Sequence, residues 1–295
     1  MMIPMKLVAI MPARNEAWIL GLSLRAALMW CDSVVLLLHA CTDESLEIAA
    51  AVAREHVGRV QIIEDHNALW SEMAHRQRLL DCARLLNATH IALVDADEVL
   101  SGNLLAPIRK QVEGIPSGAC LECRMPQLWG SLDNYAVDVP SSHGGLSANW
   151  GHSVTTVAFA DNPALKWHAA NGYDHHHREP YGSRRGLRMS QDGGLMHLQF
   201  ANPSRLRAKH ALYKMTERIR WPQKSVAEID ALYNLAIKPS KETTQPVPAA
   251  WWEPYSHLLG HVDMASAPWQ TSQCEWLALE HGPDTFQGLD LFGVI

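Results

Sequence analysis

The chain has 295 residues, a formal net charge of −6 and a hydrophobic fraction of 47%. That is enough apolar material for one large core or two smaller ones. No apolar run approaches the roughly 20 residues that span a bilayer, and the start of the chain lacks the pattern of a secretory leader. Six scattered cysteines suit a reducing compartment, so a cytoplasmic location is expected. Cys120-Leu-Glu-Cys123 has no second Cys-x-x-Cys to complete a zinc site. The acidic balance counts against wholesale nucleic-acid binding, although the placement of charge matters more than its sum.

The first hundred residues alternate strand and helix. Lys6 to Met11 is an apolar strand, Pro12 to Glu16 a polar break, and a helix follows to about Met29. Val34 to Leu38 reads as a second buried strand and His39 to Ser45 as the next loop, with Thr42 or Asp43 placed to cap a helix running through Arg54. Val60 to Ile63 is a third strand. Ser71 to Leu86 is a helix with Met73, Leu80, Ala83 and Leu86 on one face. Ile91 to Val94 is a fourth strand that ends in Asp95-Ala96-Asp97-Glu98. Such alternation predicts an α/β fold with a parallel sheet covered on both faces. Ligands bind such sheets beyond the carboxyl ends of the strands. Three polar loops, Pro12–Glu16, His39–Ser45 and Asp95–Glu98, fall at that edge. Two carboxylates at a strand end suit a hard cation that also holds substrate phosphates.

From about 116 to 200 the alternation fades and Gly, Pro, His and Trp become frequent. Ala119 to Met125 is read as continuing the sheet. Trp129, Trp150 and Trp167 are large aromatic side chains that either stack on a flat ligand face or, more plainly, fill the core. Asp174-His175-His176-His177-Arg178-Glu179 is the densest ionisable cluster. His197 lies inside the apolar run that follows Gly193-Gly194. A helix follows, capped by Asn202 with Pro203 in its first turn. Its expected buried stripe is Ala208, Leu212, Met215 and Ile219, bordered by Arg205 and Lys209, with Arg207, Lys214 and Arg218 pointing away. From Arg178 to Lys224 there are eleven Lys or Arg against three acids, which suits a diphosphate or a phosphate-rich acceptor, DNA included. Lys238 to Ala250 reads as a linker. Trp251 to Ile295 holds four Trp, six acids and no Lys or Arg. That stretch is expected to pack back on the body or on a second subunit.

Met11-Pro-Ala-Arg-Asn-Glu16, Cys41-Thr-Asp-Glu-Ser45 and Val94-Asp-Ala-Asp-Glu98, in that order, resemble the family 2 glycosyltransferases of the GT-A fold, of bacterial or bacteriophage type. The resemblance implies a Rossmann-like GT-A sheet with a C-terminal helical or irregular extension. It divides the chain into a nucleotide-sugar half (1–115), an acceptor and metal-completing half (116–237), and a linker with an acidic Trp-rich tail (238–295). It implies a metal-dependent transferase, inverting by family habit, that moves a sugar (a hexose is expected) from a nucleotide-sugar donor to an acceptor hydroxyl. A UDP-sugar is the expected donor. The acceptor stays open between a saccharide, a small molecule and a hydroxylated base in DNA. Pro12, Ala13, Arg14, Asn15, Glu16, Asp43, Arg76, Asp95 and Ala96 would hold the donor, with Arg205 and Lys209 on its diphosphate. Asp95, Asp97 and His197 would hold Mn2+ or Mg2+. Glu179 is the first candidate base, with Asp192 and Asp174 as rivals. Many members end the second strand in an Asp that pairs with uracil; His39 stands there and leaves the base open. The alternatives are a sugar-nucleotidyltransferase and a non-catalytic nucleotide-binding protein of the same fold.

Overall fold

Strand β1 (Leu7–Ala13) is buried at every position because its neighbours cover both sides and both faces. The computed structural model describes residues 4–67, 69–141, 148–168 and 178–295. After β1 come α1 (Ala17–Leu28), β2 (Ser33–His39), α2 (Ser45–Glu55), β3 (Val60–Asp65), α3 (Glu72–Leu85), β4 (His90–Leu93), β5 (Glu98–Leu100) and α4 (Leu105–Glu113). The later elements are β6 (Ala119–Arg124), β7 (Asn134–Asp138), β8 (Val154–Ala160), β9 (Arg184–Arg188), β10 (Leu195–His197), α5 (Pro203–Arg220), α6 (Val226–Ile237), β11 (Thr243–Pro246), α7 (Ala249–Trp252) and α8 (Trp269–His281). The chain forms two units. One comprises residues 1–125, 154–196 and 248–263; the other comprises 126–153, 197–247 and 264–295.

The first unit carries a seven-stranded sheet in the order β3-β2-β1-β4-β8-β6-β9. β3, β2, β1 and β4 run parallel, as the strand–helix alternation predicts. β8 lies antiparallel between β4 and β6, and β9 pairs parallel with β6 at the edge. The fold class is therefore α/β, with a mostly parallel Rossmann-like sheet. Successive residues of β1 feed opposite faces. Leu7, Ala9 and Met11 join a core with Leu20, Leu24, Val52, Ile108 and Val112, while Val8 and Ile10 pack with Met73, Leu79, Leu80 and Ala83 of α3. Cys120 and Cys123 belong one to each of these cores, so they cannot share a metal ion. After β1 the chain turns to β2 on one side and later reaches β4 on the other. That switch opens the crevice where α/β sheets bind ligands.

The 248–263 segment belongs to this unit. Trp251 and Tyr255 are buried, and the Tyr255 hydroxyl donates to the Leu100 carbonyl at 2.8 Å. A Cβ on Gly102 would meet Pro254 Cδ at 2.5 Å, so glycine is what lets this segment lie so close.

In the second unit, Trp129 stacks on Phe200 at 4.9 Å with Trp150 beside it. Both rings therefore serve packing there, as Trp167 does in the first unit, where it is buried against Phe159. Two expectations need correction. The 238–250 stretch is not only a linker, since Thr243–Pro246 forms β11 and pairs with β7. Lys214 does not point away. It is fully buried, and its ammonium donates to Asp230 (2.7 Å), Asn234 (2.6 Å) and the Asp290 carbonyl (2.7 Å). Three oxygen acceptors compensate a charge that a helical pattern alone would send to solvent.

Candidate functional site

The loops after β1, β2 and β4 meet at the carboxyl edge of the first unit. The first two are laced together by side chains. Asn15 Oδ1 accepts from the Thr42 amide at 2.7 Å, and Ser45 Oγ accepts from the Glu16 amide at 3.1 Å. Asp43 spans two helix starts, accepting from the Ala17 amide (2.9 Å) and from the Ser45 amide (3.1 Å). It satisfies amides that helix N-termini leave open. Two residues at this edge have positive φ, Asn15 at 53° and Ala40 at 43°. Asn tolerates that region; for Ala it is strained, and strain of this kind concentrates at functional sites. Burial lowers the pKa of Arg14, the largest effect on it.

The loop after β4 is built around carboxylates and two arginines. Asp95 and Glu98 close a tight turn: the Asp95 amide donates to Glu98 Oε2 at 2.8 Å and the Glu98 amide to the Asp95 carbonyl at 3.0 Å. Glu98 is 1% exposed. Arg76 Nη2 reaches both Asp95 oxygens at 3.2 Å and bonds Glu72 from the other side. Arg178 bonds Glu98 and reaches Asp95 Oδ2 at 3.4 Å. Burial works against the charge on both arginines, but the facing carboxylates outweigh it, and both pKa values rise. Arg76 Nη1 is buried with no hydrogen-bond partner among the described residues. Asp97 is half-buried beside this cluster, two residues from the pinned Asp95.

Arg178 and Glu98 are the members that reading the sequence missed as a pair. Arg178 lies in a run of charges that reads as a loop, and Glu98 continues the carboxylate motif. The available signal was the spacing of Asp95 and Glu98, a short-range side-chain cap followed by apolar Val99 and Leu100.

The candidate bases sit differently. Glu179 is half-buried, at 3.5 Å from Thr156 Oγ1. Asp192 is exposed and 3.4 Å from Arg124. Asp174 lies outside the described residues. In the second unit, His197 Nδ1 is 2.8 Å from Gln127 Oε1. A carbonyl partner on Nδ1 sets the tautomer that leaves Nε2 with a lone pair, the state a metal requires. Arg205 donates to Ser266, and Lys209 to Gln199. Among the described residues no three His, Cys, Asp or Glu side chains form a metal-holding group. The donor chemistry nonetheless fits Mn2+ or Mg2+, which take one or two carboxylates and leave their other positions to water and phosphate.

No family model matches the chain, and no curated protein matches it. Solved structures do. Glucosyl-3-phosphoglycerate synthase from Mycobacterium tuberculosis, in complex with Mg2+ and uridine diphosphate, matches at 13% identity over 42% of this chain and 44% of that one, with a TM-score of 0.32. S. aureus TarS 1–349 matches at 13% identity over 95% and 88%, with a TM-score of 0.42. The 4-diphosphocytidyl-2C-methyl-D-erythritol synthase of Anaerococcus prevotii matches at 11% identity over 53% and 70%, with a TM-score of 0.35. The match to the synthase from Mycobacterium tuberculosis spans less than half of that protein's length.

Proposed function

We propose that the chain is a glycosyltransferase of GT-A type that uses a nucleotide-sugar donor and a divalent cation. The observation that carries the reading is the Asp-Ala-Asp turn at the end of β4. One carboxylate, Asp95, is pinned by Arg76 and Arg178, while the next, Asp97, stands half-buried at the edge shared with the loops after β1 and β2. A pinned Asp95 fixes the backbone from which Asp97 would bind Mn2+ or Mg2+. The metal would neutralise charge building on the departing nucleoside diphosphate. Arg76, with a buried and unspent Nη1, would add a donor to an anion there.

The remaining assignments follow from this. Asn15, Glu16 and Asp43 would shape the donor loop, and Pro12 to Arg14 would enter it. Glu179 would take the proton of the attacking hydroxyl, since a neutral hydroxyl is a poor nucleophile. Its half-buried position suits a base better than the exposed Asp192. A hexose is the sugar we favour and UDP the carrier; the acceptor is a hydroxyl compound.

The test is release of nucleoside diphosphate from a panel of nucleotide sugars with Mn2+ or Mg2+. Turnover that falls at least a hundredfold in Asp97→Asn, with an unchanged melting temperature, supports the reading. Equal turnover in the variant, or no nucleotide-sugar binding by the wild type, sinks it. Consumption of a nucleoside triphosphate with a sugar phosphate would point to the nucleotidyltransferase alternative.

A further inference from the structure

The carboxyl edge of the sheet continues past the Asp-Ala-Asp turn. β8 is antiparallel to both β4 and β6, and β9 is parallel to β6, so β6 and β9 run in the same direction as β4. Their last residues therefore reach the edge where the turn stands. Strand register sets three residues in a row on one face there: Thr156 of β8 opposite Glu122 of β6, and Glu122 beside Arg188 of β9. Arg124, two residues beyond Glu122 and opposite Val154, lies on the same face. Adjacent strands are about 4.8 Å apart, so the backbone of Arg188 stands roughly 10 Å from that of Thr156. Thr156 is the residue whose hydroxyl meets Glu179, at 3.5 Å.

The fold does not spend these arginines. Every residue of β9 is exposed, and among the described residues Arg188 has no carboxylate partner. Arg124 meets the exposed Asp192 at 3.4 Å, and a solvated pair of that length opens at little cost. The loop after β9 is nevertheless held in place. Asn103 Nδ2 donates to the Asp192 carbonyl at 2.7 Å and the Gly194 amide to Ser101 Oγ at 3.0 Å, while a Cβ on Gly193 would collide with that oxygen. Ser101 and Asn103 follow directly on β5, which begins at Glu98, so the end of β9 is fixed to the chain that leaves the carboxylate turn. Charge on an exposed edge strand also discourages pairing with another chain. That duty does not explain Arg124, which sits on β6 between two neighbours.

We infer that the acceptor is a phosphorylated hydroxyl compound, its phosphate held by Arg124 and Arg188 while its hydroxyl meets Glu179. The inference rests on the glycosyltransferase reading above and names its acceptor class. A phosphate monoester carries about −1.5 to −2 charges at pH 7, which two guanidinium groups match. Their planar forks suit its oxygens. Glu122 is half-buried between Thr156 and Arg188 and accepts hydrogen bonds from hydroxyls, so it suits the polyol or sugar portion between the two ends. In the transfer, the acceptor oxygen bonds to the anomeric carbon of the donor sugar. The bond from that carbon to the diphosphate breaks with its electron pair on the diphosphate, and the hydroxyl proton passes to Glu179.

Isothermal titration tests this with glucose 6-phosphate, glucuronate and glucose, each added with Mg2+ and UDP to wild type, Arg188→Gln and Arg124→Gln/Arg188→Gln. The expected result is glucose 6-phosphate bound at least tenfold tighter than glucose, a loss of tenfold or more in the double variant, and UDP affinity changed less than threefold. The side chains replaced are solvated, and an unchanged melting temperature checks that the variants fold. Glucose 6-phosphate bound no tighter than glucose, or bound equally by wild type and the double variant, would overturn the inference and leave the donor-site reading standing. A double variant that self-associates yet keeps its glucose 6-phosphate affinity would reduce the arginines to guards of the sheet edge. Glucuronate bound as tightly as glucose 6-phosphate would overturn the choice of phosphate. A tenfold loss of UDP affinity in the double variant would overturn the inference too, because the arginines would then serve the donor. Wild type that binds neither a nucleoside diphosphate nor glucose 6-phosphate would overturn both readings.

Discussion

Arg178 takes both carboxylate oxygens of Glu98, Oε1 at 2.8 Å and Oε2 at 2.5 Å. Its guanidinium also donates to the carbonyls of Leu93 and Thr156, each at 2.9 Å, so it ties the end of β4 to β8. Removing the arginine leaves a buried, unpaired carboxylate. Arg178→Met should therefore cost about 3–5 kcal/mol. In urea unfolding, Arg178→Met/Glu98→Gln should recover at least half of that loss. A single-variant cost below about 1 kcal/mol would contradict a buried pair.

Acid should weaken the fold before ordinary carboxylates titrate. Burial is the main cause that lowers the pKa values of His39, His75 and His90, with His75 at about 4. Unfolded histidines titrate near 6.5. Between those values the unfolded chain binds protons that the folded chain refuses, so stability is full above about pH 6.5 and falls as pH drops toward 4. His75 alone should contribute about 1–3 kcal/mol to the decline. Denaturant midpoints from pH 7 to pH 4.5 check this, and His75→Gln should flatten the slope. A slope unchanged in that variant would remove His75 from the account.

Ala40 is strained, so Ala40→Gly should act against the usual sense of that substitution. Relief of a positive φ offsets the added freedom of the unfolded chain, and stability should hold or rise by up to about 1 kcal/mol. A thermal melt showing a loss above about 1 kcal/mol would mean the left-handed turn is not what the position demands.

Asp43 serves two helix starts at once. Asp43→Ala should cost about 1–2 kcal/mol in stability and loosen the contact between the loops after β1 and β2. Nucleotide affinity should then fall severalfold in titration, whereas a purely structural cap would lower the melting temperature and leave affinity intact.

In the second unit, Lys214→Met should cost about 2–4 kcal/mol, because Asp230 and Asn234 lose a buried partner and the Asp290 carbonyl is released. Denaturant unfolding measures it, and a change below about 0.5 kcal/mol would show that solvent already reaches the ammonium.

The strands that flank the switch point were legible because they are buried on both faces and read as unbroken apolar runs. β9 was not, since Arg184 to Arg188 is an exposed edge with one apolar side chain, and an exposed strand leaves no burial pattern. β8 mixes Thr with Val and Ala, and the surrounding Trp and His obscured it. The motif carboxylates were visible, but their division of labour was not. Whether Asp95 is pinned by arginines depends on Arg178, 83 residues away along the chain. Lys214 shows the same limit: a charge on a helix reads as solvated until its three oxygen partners, from two later segments, are in place.

The first unit is assembled from three separated stretches, and the last of them supplies Tyr255 beneath Leu100. During synthesis, the ribosome must deliver the chain past residue 263 before this unit can close. Until then the Leu100 carbonyl and the space beside Gly102 stay uncovered. A nascent chain arrested near residue 240 would hold β1 to β4 yet lack Trp251 and Tyr255, which makes the 248–263 segment a late fastener for the beginning of the chain.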